Sequence, residues 1–374
     1  MKRILARFAC MLLFLFGWFV PNVHAYNEAG HYFTLIALYE STLSDDIPEQ
    51  SLSEFKLEAF CAQLPDLAKE FDAITQRILV LESLSDNLWG LLGRCKTDQG
   101  LSSHMVATHN YLHGLSGAPA LPVRLASKQI IDQLTDELAQ KGLTKGERSN
   151  LICARGFALH LFGDSFAHVK LRNGHKKWFS GLLSTPAETE MYDVGLGHTR
   201  DSVAPDYFSE HEVDANMWSQ YVRDVSAIVA PGADVNRVIS IQKCNKDSVA
   251  VCENDYKNTL DKMITMREPL MVDIHKLLRE GSSGIGNMER ATSCHQVVQW
   301  AFPEVTDRPD CATVWKLYLQ KAIPSFYQHN VDPIVRPGVK ADKSCSAWQC
   351  KDKSQYEGES PTSCSVEIID RLTR

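Results

Sequence analysis

The 374-residue sequence predicts an all-α protein. Three observations carry that expectation. Apolar residues recur at helical spacing along most of the chain, and strand-like alternation of apolar and polar residues is scarce. Thr144 and Glu147 have the spacing of a capping box, in which a side-chain oxygen and a carboxylate satisfy the first backbone N–H groups of a helix.

The elements follow in order. Residues 27–41 carry apolar side chains at helical spacing. Residues 123–141 read as an amphipathic helix with Leu125, Ile130, Ile131, Leu134 and Leu138 on its apolar side. The helix opened by Thr144 runs through Leu151, Phe157, Leu161 and Phe162 to about residue 169. Residues 213–228 and 255–278 are further helices, and 281–286 is a loop. From residue 331 the chain turns polar, with Pro, Lys, Ser and three cysteines, and reads as an irregular tail stapled by disulfides. No internal repeat is present.

The first 25 residues read as a signal peptide. Lys2, Arg3 and Arg7 precede an apolar stretch over 8–20 that is short for a bilayer span. Val23-His-Ala25 is a small-residue cleavage site, so the mature chain is expected to begin at Tyr26 and to be secreted or periplasmic. Loss of the three basic residues takes the formal net charge from −7 to −10. An acidic surface offers no general attraction to a nucleic-acid backbone, and no stable nucleic-acid partner is expected. No later stretch has the length and apolarity of a transmembrane helix.

Ten cysteines follow the signal, an even number in an oxidising compartment, so up to five disulfides are expected. Cys244/Cys252, Cys294/Cys311 and Cys345/Cys350 are close enough in sequence to pair, although spacing alone leaves the connectivity open. A thiolate metal site is disfavoured because no Cys-x-x-Cys pair occurs.

Chemistry concentrates in the run Ala-Leu-His160-Leu-Phe-Gly-Asp164-Ser-Phe-Ala-His168. Its two histidines and one aspartate fall at i, i+4 and i+8, which stacks them on one helix face. Imidazole and carboxylate so arranged in an apolar helix suit a divalent metal such as zinc. Nine of the 13 histidines lie between His31 and His211, several with acidic neighbours at ligand-like spacing.

Several segments together resemble the superfamily of zinc-dependent phospholipases C and fungal single-strand nucleases. The mature start, Tyr26-Asn-Glu-Ala-Gly-His31, is similar to the family's aromatic first residue followed five positions later by His, although Tyr stands in place of the usual Trp. Ala62-Gln-Leu-Pro-Asp66 resembles the segment that supplies a bridging Asp. Thr108-His109-Asn-Tyr resembles the next His segment, with His104 and His113 as neighbouring rivals. Arg155-Gly-Phe-Ala-Leu-His160-Leu-Phe-Gly-Asp164 is similar to the central helix. Two departures are visible. His168 follows the Asp by four residues rather than about six, and neither His198 nor His211 has an acid four residues on. Gly197-His198 with Pro205-Asp206 looks closer to a bacterial branch of secreted phospholipase C-like proteins.

The resemblance implies a multi-helix, metal-binding catalytic domain over 26–330, ahead of the tail at 331–374. It implies two or three zinc ions held by Tyr26, His31, Asp66, His109, His160, Asp164, His168, His198 and Asp206. Asp66 and Asp164 would serve catalysis as bridging or anchoring carboxylates. The activity implied is that of a zinc-dependent phospholipase C, in which a metal-activated water cleaves the glycerol-side phosphodiester of a phospholipid at a membrane or micelle surface. The alternatives are a zinc-dependent single-strand nuclease or nucleotidase, for which Tyr111, Trp178, Tyr192 and Tyr207 could stack bases, and an exported metal-binding protein without catalysis. Simpler roles compete residue by residue. Asp66 could cap a helix after Pro65, His168 could end a helix at its negative pole, His198 could sit in a glycine-rich loop, and Asp206 could be a turn residue.

Overall fold

The computed structural model describes residues 31–32, 34–42, 49–68, 70–71, 107–171, 189–191, 212–241, 293–302 and 306–331. The described residues form an all-α fold: α1 (Thr34–Thr42), α2 (Glu49–Leu67), a π-helical turn (Thr108–Leu112), α3 (Ala120–Leu138), α4 (Lys145–Ala167), α5 (Glu212–Val229), α6 (Val235–Ile241), α7 (Cys294–Ala301) and α8 (Cys311–Gln328). One short antiparallel hairpin, β1 (Val169–Leu171) and β2 (Thr189–Met191), interrupts them and pairs Val169 with Met191.

Helix α4 is the axis of the fold. From Leu151 to Ala167 every residue except Arg155 is buried, which is the signature of a helix surrounded by others rather than lying on a surface. Helices α2, α3, α5 and α8 pack around it. Its start is the expected capping box: Glu147 N–H donates to Thr144 Oγ1 at 3.2 Å and Thr144 N–H donates to Glu147 Oε2 at 2.8 Å. Two glycines let neighbours come close. A Cβ on Gly156 would lie 2.6 Å from Cys61 Cβ, 2.8 Å from the Glu58 carbonyl and 2.9 Å from the Ala62 nitrogen, so only glycine permits this approach of α2. A Cβ on Gly163 would meet the His31 ring at 2.7 Å.

Beside Gly156 a Cys61–Cys153 disulfide ties α2 to α4, across a sequence separation of 92. Cys294 and Cys311 are also bonded, as their spacing suggested, and join the first residues of α7 and α8. The remaining cysteines, the helix expected at 255–278, the loop at 281–286 and the tail beyond Val331 lie outside the described residues. Among the described residues no helix is long and apolar enough to cross a membrane.

Two expectations and one competing reading need correction. Leu125 is 45% exposed rather than part of the apolar stripe of α3. The buried stripe is Val123, Ala126, Ile130, Ile131 and Leu134, and residue 125 is two positions, about 200°, away from its first member. Asp66 does not cap a helix after Pro65; both residues lie in the last turn of α2, which begins at Glu49. The central helix stops at Ala167, two residues early, because the His168 backbone leaves helical geometry (φ −85°, ψ 47°) and the chain then enters β1 at Val169.

Candidate metal centre

Five histidine and aspartate side chains converge where α4 meets the end of α2 and the π-turn. His160 and Asp164 come from α4, Asp66 from α2, His113 from the residue after the π-turn, and His31 from the residues before α1. All are buried, from 0% exposure at His31, His160 and Asp164 to 8% at Asp66.

Asp164 is the hub. Its Oδ1 lies 3.1 Å from His31 Nε2. Its Oδ2 lies 3.0 Å from His113 Nδ1 and 3.1 Å from His160 Nε2. Those two ring nitrogens are themselves 3.0 Å apart. Asp66 Oδ1 stands slightly back, 3.8 Å from His160 Nε2 and 3.9 Å from His113 Nδ1. His168, the third member of the i, i+4, i+8 series, caps α4 with its Nδ1 3.8 Å from Asp164 Oδ2 and 3.2 Å from the His113 carbonyl.

The outer nitrogens fix the tautomers. His160 Nδ1 meets the Ala62 carbonyl at 2.8 Å, and His113 Nε2 meets the Phe71 carbonyl at 2.9 Å. A carbonyl only accepts, so both outer nitrogens carry protons. In the neutral rings the inner nitrogens, His160 Nε2 and His113 Nδ1, therefore present lone pairs to each other and to a carboxylate oxygen. Converging lone pairs repel unless a proton or a metal cation stands among them. Backbone carbonyls gripping the far side of each imidazole are also what a metal-ligating histidine requires.

The titration tendencies show the same demand for positive charge. Burial lowers the pKa of His31 and of His160, holding both rings in the neutral, ligating form. Burial also opposes protonation of His113, but the hydrogen bond to Asp164 and the charges of Asp164 and Asp66 outweigh it and raise that ring to about 9. Burial alone would raise Asp164, yet the neighbouring His160 and His168 and the hydrogen bond from His113 hold it well below the usual carboxylate range.

Two groups of potential ligand atoms result, His31/His160/Asp164 and Asp66/His113/His160, and either could hold a metal ion. They share His160, whose Nδ1 is committed to Ala62, so one atom, Nε2, serves both. Of the residues expected from the sequence, His31, Asp66, His160, Asp164 and His168 are brought together. Tyr26, His198 and Asp206 lie outside the described residues. His109 is buried in the π-turn, with its carbonyl bonded by Leu115 N–H. The histidine of this segment that touches Asp164 is His113, four residues on.

Gly163 and Gln63 complete the setting and were not read from the sequence. Gly163 makes room for the His31 ring, whose centroid lies 4.3 Å from that of His160 with the planes tilted by 35°. Gln63 Nε2 donates to Asp66 Oδ2 at 2.9 Å. Comparison with protein-family models, with curated proteins and with solved structures finds no match. Fold and site together define an all-α protein with a buried His/Asp cluster able to hold a metal ion.

Proposed function

We propose that the cluster is a zinc centre and that the protein is an exported phosphodiester hydrolase of the phospholipase C type. One observation carries the reading: three imidazole nitrogens and a carboxylate meet within about hydrogen-bond distance, with two of the rings anchored from behind by backbone carbonyls. His31, Asp66, His113, His160 and Asp164 would hold the metal. Imidazole nitrogen with carboxylate oxygen is the donor set that zinc accepts in catalytic sites. Bound zinc supplies Lewis acidity toward a phosphoryl oxygen and lowers the pKa of water.

The chain's own residues do the rest. The Ala62 and Phe71 carbonyls hold the rings of His160 and His113 in one tautomer and one orientation. Asp164 uses both oxygens, one toward His31 and one toward His113 and His160, so a single carboxylate ties α4 to the two flanking segments. The aromatic packing of Phe71, Phe157, Trp315 and Tyr318 closes the core near the Phe71 carbonyl and keeps bulk water from screening it. No serine or cysteine nucleophile is needed.

A lipid substrate is favoured by the resemblance of the ligand-bearing segments to secreted phospholipases C and by the acidic mature chain. Base stacking loses one candidate platform, because Tyr111 is 2% exposed and packs edge-on against Phe326. The two disulfides agree with export.

The test is a paired measurement on the purified mature protein: zinc content by elemental analysis, and phosphocholine release from phosphatidylcholine with and without chelator. Zinc together with chelator-sensitive release is expected, and both should be lost in His160→Ala and Asp164→Ala. Normal turnover in either variant rejects the site. Zinc without release, but with cleavage of single-stranded nucleic acid, replaces the lipid by the nucleotide substrate.

A further inference from the structure

We propose that Gln63 is a positioning residue that commits Asp66 to the metal centre through one oxygen only. The inference rests on the metal reading above. Gln63 and Asp66 lie three residues apart on α2, where side chains share a face. Both are buried, Gln63 at 2% exposure. The Gln63 amide donates Nε2–H to Asp66 Oδ2 at 2.9 Å. A carboxylate only accepts, so this bond also fixes which end of the amide faces it. With Oδ2 engaged, Oδ1 is the oxygen turned toward His160 Nε2 and His113 Nδ1, at 3.8 and 3.9 Å.

The other end of the amide shows why this residue is there. Gln63 Oε1 is buried and has no hydrogen-bond partner among the described residues. Burying an unpartnered amide oxygen is unfavourable, and an apolar side chain of the same length would serve folding better. The one thing glutamine does here that methionine cannot is donate to Asp66. Its adjacency to Ala62, whose carbonyl orients His160, puts two supports of the centre on consecutive residues of α2. Without the Gln63 bond the Oδ2 end of Asp66 loses one of its restraints, and the distances at the centre would be set less firmly in advance.

The experiment uses the mature protein with Gln63→Met, and Gln63→Leu as a second variant, each made alone and in an Asp66→Asn background. Zinc affinity is read by competition with a chromophoric chelator, and the melting temperature is read in excess chelator. With Asp66 present, Gln63→Met should weaken zinc by about 10- to 100-fold, the usual loss on removing a partner of a ligand. The melting temperature of the chelated protein should change little, because removal of the unpartnered Oε1 offsets the donor lost to Asp66. With Asp66→Asn, the same change should alter zinc affinity less than about threefold, because the two residues act as one unit. Unchanged affinity, or the same loss in both backgrounds, overturns the proposal. So does a fall in chelated melting temperature with affinity intact, which is the mark of a structural residue. A wild-type protein that binds no zinc removes the metal reading itself.

Discussion

Replacing Gly163 by alanine tests the centre from a direction that leaves every proposed ligand in place. The new Cβ would stand 2.7 Å from His31 Cε1 and 2.8 Å from His31 Nδ1, with Tyr221 Cε2 at 3.4 Å on another side. Ordinary contact begins near 3.4 Å, so the ring must retreat by about 0.7 Å. His31 is fully buried and cannot swing into solvent. Metal sites tolerate roughly ±0.2 Å in ligand distance, and the displacement is about three times that. For folding, the two effects oppose each other. Alanine gains about 1 kcal/mol over glycine inside a helix, and overpacking costs about 1–3 kcal/mol. The chelated protein should therefore lose no more than about 2 kcal/mol. Zinc affinity should fall tenfold or more, about 1.4 kcal/mol or above. Chelator competition gives the affinity, and melts with and without zinc give the stability. Wild-type affinity in Gly163→Ala, with a full zinc-dependent rise in melting temperature, would refute the placement of His31 at the centre.

Gly156→Ala is the matched contrast. Its Cβ meets atoms of the α2 backbone at 2.8 and 2.9 Å, and backbone cannot step aside as a ring can. Stability should fall with and without zinc, by about 1–3 kcal/mol in a denaturant melt; an effect confined to the zinc-loaded protein would contradict the packing argument. Glu58→Gln addresses a polar group away from the centre. Glu58 Oε1 pairs with Arg155 Nη1 at 2.7 Å and Oε2 accepts from the Tyr39 hydroxyl, with Glu58 3% and Arg155 15% exposed. Leaving that arginine without its carboxylate should cost about 3–5 kcal/mol while sparing zinc affinity. A loss below 1 kcal/mol would mean that the arginine reaches water.

What could be read in advance was whatever is local. His160, Asp164 and His168 are spaced for one helix face, and all three do turn to the same place because α4 is continuous from Lys145 to Ala167. The Thr144/Glu147 box and the Cys294–Cys311 bridge are equally short in range. The Cys61–Cys153 bridge spans 92 residues, and spacing holds no information at that distance. Choosing between His109 and His113 also needed the fold. Both sit on the same short segment, and the Phe71 carbonyl and the Asp164 carboxylate decide it by bracketing the two nitrogens of His113. The need for glycine at 163 is set by the His31 ring, which comes from more than 130 residues away in the chain and leaves no local signal. Asp66 was recognised as a ligand candidate, but Pro65 before it suggested a helix beginning. Proline usually marks a first turn, and here its missing N–H is tolerated in the last one.

On the proposed zinc reading, removal of the metal should weaken the protein itself, and the reason lies in where the centre sits. The proposed ligands are buried among the packed helices, so the cluster forms whenever the core folds. In the absence of a metal the core must bring Asp164 and two inward-facing nitrogens together at 3.0–3.1 Å, and only a proton on His113 Nδ1 relieves them. A dication relieves all of them at once and binds the native state alone. At a free zinc concentration 1,000 times Kd, linkage adds about 4 kcal/mol. In a chain of this size each kcal/mol moves the melting temperature by about 2 °C, so chelation should lower it by about 8 °C. His113→Gln should remove most of that increment, since glutamine cannot hold a lone pair in place against the Phe71 carbonyl as the ring does. A melting temperature indifferent to zinc and chelator would show that the proton suffices, and that the cluster is a buried hydrogen-bond network with no metal to hold.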